Sequence, residues 1–217
     1  MANILHIDSS PRGVDPEGLV VRHRSISRSL SYEFVTSWKD AHPGDTVTYQ
    51  DLGHNPVPHV DEPFIAASFT PADARTPEQI DLLKVSDSLV DELLAADCLV
   101  FGIPMYNFNV PSTFKAYIDQ IVRPGRTFTV TENGYQGLVD SSKKVLVITA
   151  RGGTFPTGTP AAAYDHQEPF LRTVFGFMGL TDVTFIHADS LNLGAEAREK
   201  SLADAKSAIA QLVASWS

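Results

Sequence analysis

A chain of 217 residues with 43% hydrophobic content is long enough to bury the core of one α/β domain, so a single domain over 1–217 is expected. With 26 acidic against 17 basic residues, a net charge of -9 and no run of lysine and arginine, it has no basic stripe for nucleic acid or an anionic membrane. The opening Met1-Ala2-Asn3-Ile4 lacks a basic region followed by an apolar stretch, and no segment reaches the about 18 apolar residues of a membrane helix, which predicts a soluble, cytoplasmic protein.

Taken in chain order, five apolar, β-rich runs stand out: Asn3–Asp8, Thr46–Asp51, 97–103, 143–149 and 182–187. The gaps between most of them are long enough for a helix, which predicts a parallel sheet. A lone cysteine, Cys98, opens the third run and excludes an internal disulfide or a multi-cysteine metal site; it reads as a core thiol, and no metal is expected. Helical periodicity is clearest over 112–122, where Phe114, Tyr117, Ile118, Ile121 and Val122 fall on one stripe behind a Pro111-Ser112 start. Residues 77–94 and 195–215 read as further helices. Right-handed crossovers favour a doubly wound five-stranded parallel sheet in the order 2-1-3-4-5. Such a sheet places a ligand at the carboxyl ends of its first and third strands, in the loops 9–27 and 104–109. Two segments do not fit the minimal pattern. One is a Pro-rich stretch holding His54, His59 and Phe64; the other runs from Phe128 to Tyr135 and contains a hairpin-like Asn133-Gly134 turn. Both are expected to border the site or a subunit interface.

Three loops carry the residues suited to a ligand. After the first strand come Ser10 and Arg12, then Ser25-Ile26-Ser27 at a helix start, where free N–H groups and hydroxyls favour a phosphate. Ser25 or Ser27 can also be read as a simple N-cap; the position after the first strand is what favours the phosphate. Gly13 and Gly18 have the spacing of a Walker loop, but residue 19 is Leu where Lys is required. The second loop, Pro104-Met105-Tyr106-Asn107-Phe108-Asn109, concentrates apolar, aromatic and amide groups, as the faces and edge of a flat heteroaromatic ring require. The same side chains could instead pack beneath the following helix. In the third loop, Ala150-Arg151-Gly152-Gly153, paired glycines let the backbone approach a ligand and aim N–H groups at it.

Pro-Met-Tyr-Asn-Phe-Asn at 104–109, Phe-Lys-Ala-Tyr-Ile-Asp at 114–119, Thr-Glu-Asn-Gly at 131–134 and Arg-Gly-Gly at 151–153 together resemble the FMN-dependent NADH azoreductases, also described as NADH:quinone oxidoreductases, of the flavodoxin-like superfamily. The resemblance implies bound FMN, with NADH or NADPH as electron donor and a quinone or azo compound as acceptor. A homodimer with the flavin near its interface is implied as well; ping-pong turnover is expected because the sequence shows no separate nucleotide-binding fold, which leaves one flavin face for two flat substrates. By the same resemblance, Ser10, Ser25, Ile26 and Ser27 would hold the phosphate, and Pro104, Met105, Tyr106, Asn107 and Phe108 the isoalloxazine. Ala150, Arg151, Gly152 and Gly153 would take its pyrimidine side, with charge stabilised by N–H groups and the Arg151 guanidinium. Phe64, Phe128 and Tyr135 are candidates for a second wall of the substrate pocket. No side chain is assigned as a catalytic acid, because the chemistry resides on the flavin. Two departures stand out: the stretch between Ser10 and Ser25 is longer than the family's usual phosphate loop, and Ala150 replaces a Ser found in many members. The competing reading is a flavodoxin-type electron carrier.

Overall fold

The computed structural model describes residues 1–13 and 24–216. Gly18 and Leu19, on which the case against a Walker loop rests, lie outside the described residues, as does most of the stretch between Ser10 and Ser25.

The elements run β1 (Asn3–Asp8), α1 (Ile26–Ala41), β2 (Thr46–Asp51), α2 (Glu62–Phe69), α3 (Pro77–Ala95), β3 (Cys98–Pro104), α4 (Ser112–Ile121), β4 (Phe128–Thr131), β5 (Gly134–Gly137), β6 (Lys144–Ala150), α5 (Gln167–Met178), β7 (Val183–Ala188) and α6 (Ala195–Trp216). Five strands pair in parallel in the order β2-β1-β3-β6-β7, which is the expected 2-1-3-4-5 once the separate β4-β5 hairpin is set aside. Central β3 reads Cys-Leu-Val-Phe-Gly-Ile-Pro and is buried at every position, because helices cover both of its faces. Leu99, Phe101 and Ile103 pack with α3, α4 and α5 through Leu93, Phe114, Tyr117 and Phe175. Cys98 and Val100 pack on the other face with α1 and α6, through Phe34, Trp38, Ala205 and Ile209. Pro104 can close β3 because the ladder ends there.

The helices at 77–94 and 195–215 are present within a residue or so of their expected ends, and α3 begins in a capping box between Thr76 and Gln79. The Pro-rich stretch is not all loop. Asp61 caps α2 by accepting from the Phe64 N–H at 2.9 Å, and Pro63 sits where a missing N–H is harmless. The hairpin is also present, with its turn one residue earlier than the Asn-Gly pair suggests: Thr131 pairs with Gly134, which takes φ 104.

Candidate functional site

β1 ends at buried Asp8, and the chain turns out of the sheet through Ser9 and Ser10. Ser9 donates its N–H to the Gly102 carbonyl of β3 at 3.1 Å, so the first and third strands deliver their loops side by side. α1 begins opposite them. Ser25 stands at its N-cap position, yet its side chain makes no capping bond; the hydroxyl instead lies 3.3 Å from that of Ser27. The N–H groups of the first turn are thus not consumed by a cap, and the alternative of Ser25 as a plain cap loses its support.

A buried polar cluster lies behind this loop. Arg28, fully buried on α1, donates to both oxygens of Asp51, through Nη1 to Oδ2 at 2.8 Å and through Nη2 to Oδ1. It also donates to Tyr49 Oη at 2.9 Å and lies 3.9 Å from Asp8 Oδ2. Burial works against the guanidinium's charge, but the Asp51 hydrogen bond and the field of Asp8 keep its pKa above the ordinary value. Burial likewise opposes ionisation of Asp51, and the bonds from Arg28 and His54 overcome it, leaving that carboxyl below the usual range.

After β3, Met105 donates its N–H to the Ala150 carbonyl at 2.9 Å, which joins the second loop to the third. Tyr106 and Asn109 exchange both backbone hydrogen bonds, at 2.9 and 3.0 Å, across a tight turn in which Asn107 and Phe108 take φ 48 and 69. Two successive left-handed residues are tolerable for Asn and strained for Phe. The strain turns the Phe108 ring outward, where it meets Phe155 and Tyr164.

The third loop is stitched to a fourth that the sequence did not mark. Leu191, Asn192 and Ser190 donate their N–H groups to the carbonyls of Arg151, Gly152 and Gly153 at 3.2, 3.0 and 2.9 Å. A Cβ on Gly152 would meet the Asn192 side-chain amide, which would have to shift to admit it. The Arg151 guanidinium turns away from the cavity described below. Its Nε bonds Asp189 Oδ1 at 2.5 Å and its Nη1 bonds Asp165 Oδ2 at 2.8 Å, so two carboxylates already neutralise it.

These loops enclose a cavity of about 280 Å³. It gathers Ser10, Ser25, Ile26 and Ser27 from the first loop, Pro104, Met105 and Tyr106 from the second, and Ala150 and Gly152 from the third. Arg12, Arg24, Leu191, Asn192 and Arg198 complete the lining. Asn107 faces an adjoining groove with Tyr106 and Lys115, and Arg151 lines a separate cavity with His187 and Asp189; neither these two nor Phe108 and Gly153 belong to the lining. Phe64 is buried beneath Arg123 with Ala67 and Leu83, Phe128 is buried against Phe177, and Tyr135 is 72% exposed on the hairpin, so none of the three reaches this cavity within one chain.

Among the described residues the lining holds three arginines and no carboxylate, in a chain whose net charge is -9. Hydroxyls, helix-start N–H groups that no Ser25 cap consumes and guanidinium groups, lining one cavity with Pro104, Met105, Tyr106 and Leu191, fit an anionic group joined to a flat ring. Among the described residues there is no metal-binding cluster and no helix long and apolar enough to cross a membrane.

A parallel sheet in this order with a cavity at the carboxyl ends of its inner strands defines the flavodoxin-like class, and the chain belongs to that family, whose model, described as flavodoxin-like fold, matches residues 2–213. It is 73% identical to the FMN-dependent NADH:quinone oxidoreductase 2 of Trichormus variabilis and 72% identical to the FMN-dependent NADH:quinone oxidoreductase of a Nostoc species, each over 216 residues and the whole of both chains. Among solved structures, an azoreductase from Bacillus anthracis superposes with a TM-score of 0.86 at 28% identity, covering 98% of this chain and 99% of that one.

Proposed function

We propose that this protein is an FMN-dependent oxidoreductase that takes hydride from NADH or NADPH, passes it to a quinone, and reductively cleaves aromatic azo compounds. The observation that carries the reading is the cavity itself: among the described residues it gathers three serines and three arginines without a carboxylate, at the carboxyl ends of adjacent parallel strands. Relatives of 72–73% identity that are named FMN-dependent NADH:quinone oxidoreductases support the electron donor and the acceptor class, and the azoreductase neighbour supports the azo activity.

In this reading residues 1–217 form one doubly wound domain, supported by the two cores on opposite faces of the sheet. Ser10, Ser25 and Ser27, with the N–H groups of the turn that begins at Ile26, hold the phosphate dianion. Pro104, Met105 and Tyr106 give the ring an apolar wall, and the Asn107-Phe108 turn closes its edge. The N–H groups of Gly152 and Gly153, which donate to no other described residue, suit the pyrimidine side. Arg151 shapes that turn from behind, since its charge is spent on Asp165 and Asp189. Bound FMN supplies the two-electron chemistry that the side chains lack. A homodimer would add the second wall that one copy does not build, and the exposed rings of Phe108 and Tyr164 beside the site suit such a contact.

The test is to denature the purified protein, chromatograph the released flavin, and mix the native protein anaerobically with NADH or NADPH. FMN in the supernatant and bleaching of the flavin in the native protein are expected. FAD would overturn the phosphate assignment, and failure of both nucleotides to bleach would replace the reductase with an electron carrier. Full activity from a protein sedimenting as a monomer would remove the dimer.

A further inference from the structure

Ser10 lines the cavity, but its carbonyl points the other way, into the protein. That oxygen accepts two hydrogen bonds from one side chain: Arg28 Nε at 2.9 Å and Arg28 Nη2 at 2.6 Å. Arg28 does not line the cavity, so it holds the loop from behind. The loop after β2 presses on the same spot, because a Cβ on Gly53 would overlap the Ser10 carbonyl oxygen and crowd Arg28 Nη2. Gly53 and His54 are in turn fixed by Asp51, whose Oδ1 accepts their N–H groups at 3.1 and 3.2 Å. His54 Nε2 stands 3.2 Å from the next carbonyl, that of Pro11.

The Ser10 carbonyl is therefore tied down on the interior side of a loop that must face an anion. Its orientation matters electrostatically. A carbonyl oxygen is the negative end of the peptide dipole, and turned toward a phosphate it would repel it. Pro11 has no N–H with which to compensate. Fixing the Ser10 carbonyl inward leaves the hydroxyl to face the cavity, where Oγ also accepts the Arg12 N–H at 3.2 Å and so shapes the next residue.

We propose that Arg28 is a positioning residue for phosphate recognition: without touching the phosphate, it fixes the Ser10 carbonyl on the interior side, thereby presents the Ser10 hydroxyl to it, and through that hydroxyl sets the position of Arg12. The proposal rests on the FMN reading above. The planar fork is what the task requires. One guanidinium reaches the Ser10 carbonyl with two donors while spanning both oxygens of Asp51, which an ammonium cannot do. Gly53 belongs to the same device, since only a residue without a Cβ lets the carbonyl sit there.

The experiment compares FMN with riboflavin, which lacks the phosphate, by titrating each into flavin-free protein and following fluorescence quenching. Arg28→Lys keeps the charge and loses the fork; Gly53→Ala displaces the carbonyl with no change in charge. Each is expected to weaken FMN binding roughly tenfold or more while riboflavin binding moves less than about twofold. Combined with Ser10→Ala, Arg28→Lys should cost less than the two single losses added, because both act through one hydroxyl. In the flavin-free protein, hydrogen exchange at the Arg12 N–H should quicken in both variants. Should Arg28→Lys fail to fold, Gly53→Ala decides alone. Equal losses for FMN and riboflavin, or an unchanged ratio in a folded variant, would overturn the proposal. If the unaltered protein itself fails to prefer FMN, the functional reading falls instead, and the Arg12 exchange still decides whether Arg28 holds the loop.

Discussion

Phe108 shows at the level of one residue how the site is held in a conformation its sequence does not favour. An aromatic residue at φ 69 is strained by about 1–2 kcal/mol, and its ring remains 48% exposed, so burial returns little of that cost. Nothing local forces the conformation; the paired hydrogen bonds of Tyr106 and Asn109 and the bond from the His166 N–H to the Phe108 carbonyl at 3.1 Å impose it. Phe108→Gly should therefore raise the unfolding free energy by about 1 kcal/mol in urea denaturation, while turnover with NADH and a quinone falls. A loss of stability would mean that the contacts with Phe155 and Tyr164 outweigh the strain. Cys98 is the opposite case, a residue whose sequence context was sufficient. Its apolar neighbours mark it as a core thiol, and burial pushes its pKa up to about 12, which leaves it protonated and inert.

The same contrast holds between elements. The strands, their order and the helices were legible because periodic apolar patterns and the handedness of crossovers are local or topological rules, and Leu99, Phe101 and Ile103 obey them. The first and second loops were legible for a related reason, since the order of strands places them at the switch point. α5 went unmarked, because Gln167–Met178 follows Pro-rich and Gly-rich sequence and its N-cap position is His166; the capping carboxylate, which accepts the Gln167 and Glu168 N–H groups, is Asp165, one residue outside. The loop after β7 was illegible too: Leu191 and Asn192 reach the cavity through pairing with a turn some 40 residues earlier, and no spacing records that. For Arg151 the residue type suggested a ligand, but Asp165 and Asp189 claim it, 14 and 38 residues further along. The cavity beside that ion pair supplies a test. His187 on β7 places Nε2 2.9 Å from Glu168 of α5 and Nδ1 2.7 Å from Thr149 of β6, with Arg151 and Asp189 also facing it. Burial and the Arg151 charge lower its pKa more than Glu168 and Asp189 raise it. The unfolded chain then takes up the proton first, so stability falls as pH drops below the ordinary histidine value of about 6.5. His187→Gln, which does not titrate, should flatten that part of the unfolding free-energy profile between neutral and mildly acid pH; an unchanged slope would remove His187 from it.

At the scale of the whole molecule, charge and cavity count decide how two substrates can share one protein. An acidic surface repels anionic nucleotides in general, and the cavity, with its serines and arginines, makes one place among the described residues that suits an anion. Two other cavities among the described residues offer no second site of that kind. The one beside Arg151 is lined by Asp165, Glu168 and Asp189, and its arginines are paired with them. The groove beside Asn107 has a single lysine, already bonded to Asp119 at 2.6 Å. Among the described residues no dedicated phosphate pocket for a nicotinamide nucleotide is seen in these cavities, so under the proposed function it is expected to take the exposed face of the ring that the Met105-Tyr106 wall leaves open. A flat quinone needs that same face. The two cannot bind together, so the donor must leave before the acceptor enters, and the enzyme alternates between two oxidation states. Double-reciprocal plots of rate against NADH at several quinone concentrations should give parallel lines, and high concentrations of either substrate should inhibit by occupying the form meant for the other. Lines that intersect, without such inhibition, would require both substrates to be present at once and hence a nucleotide site elsewhere on the molecule.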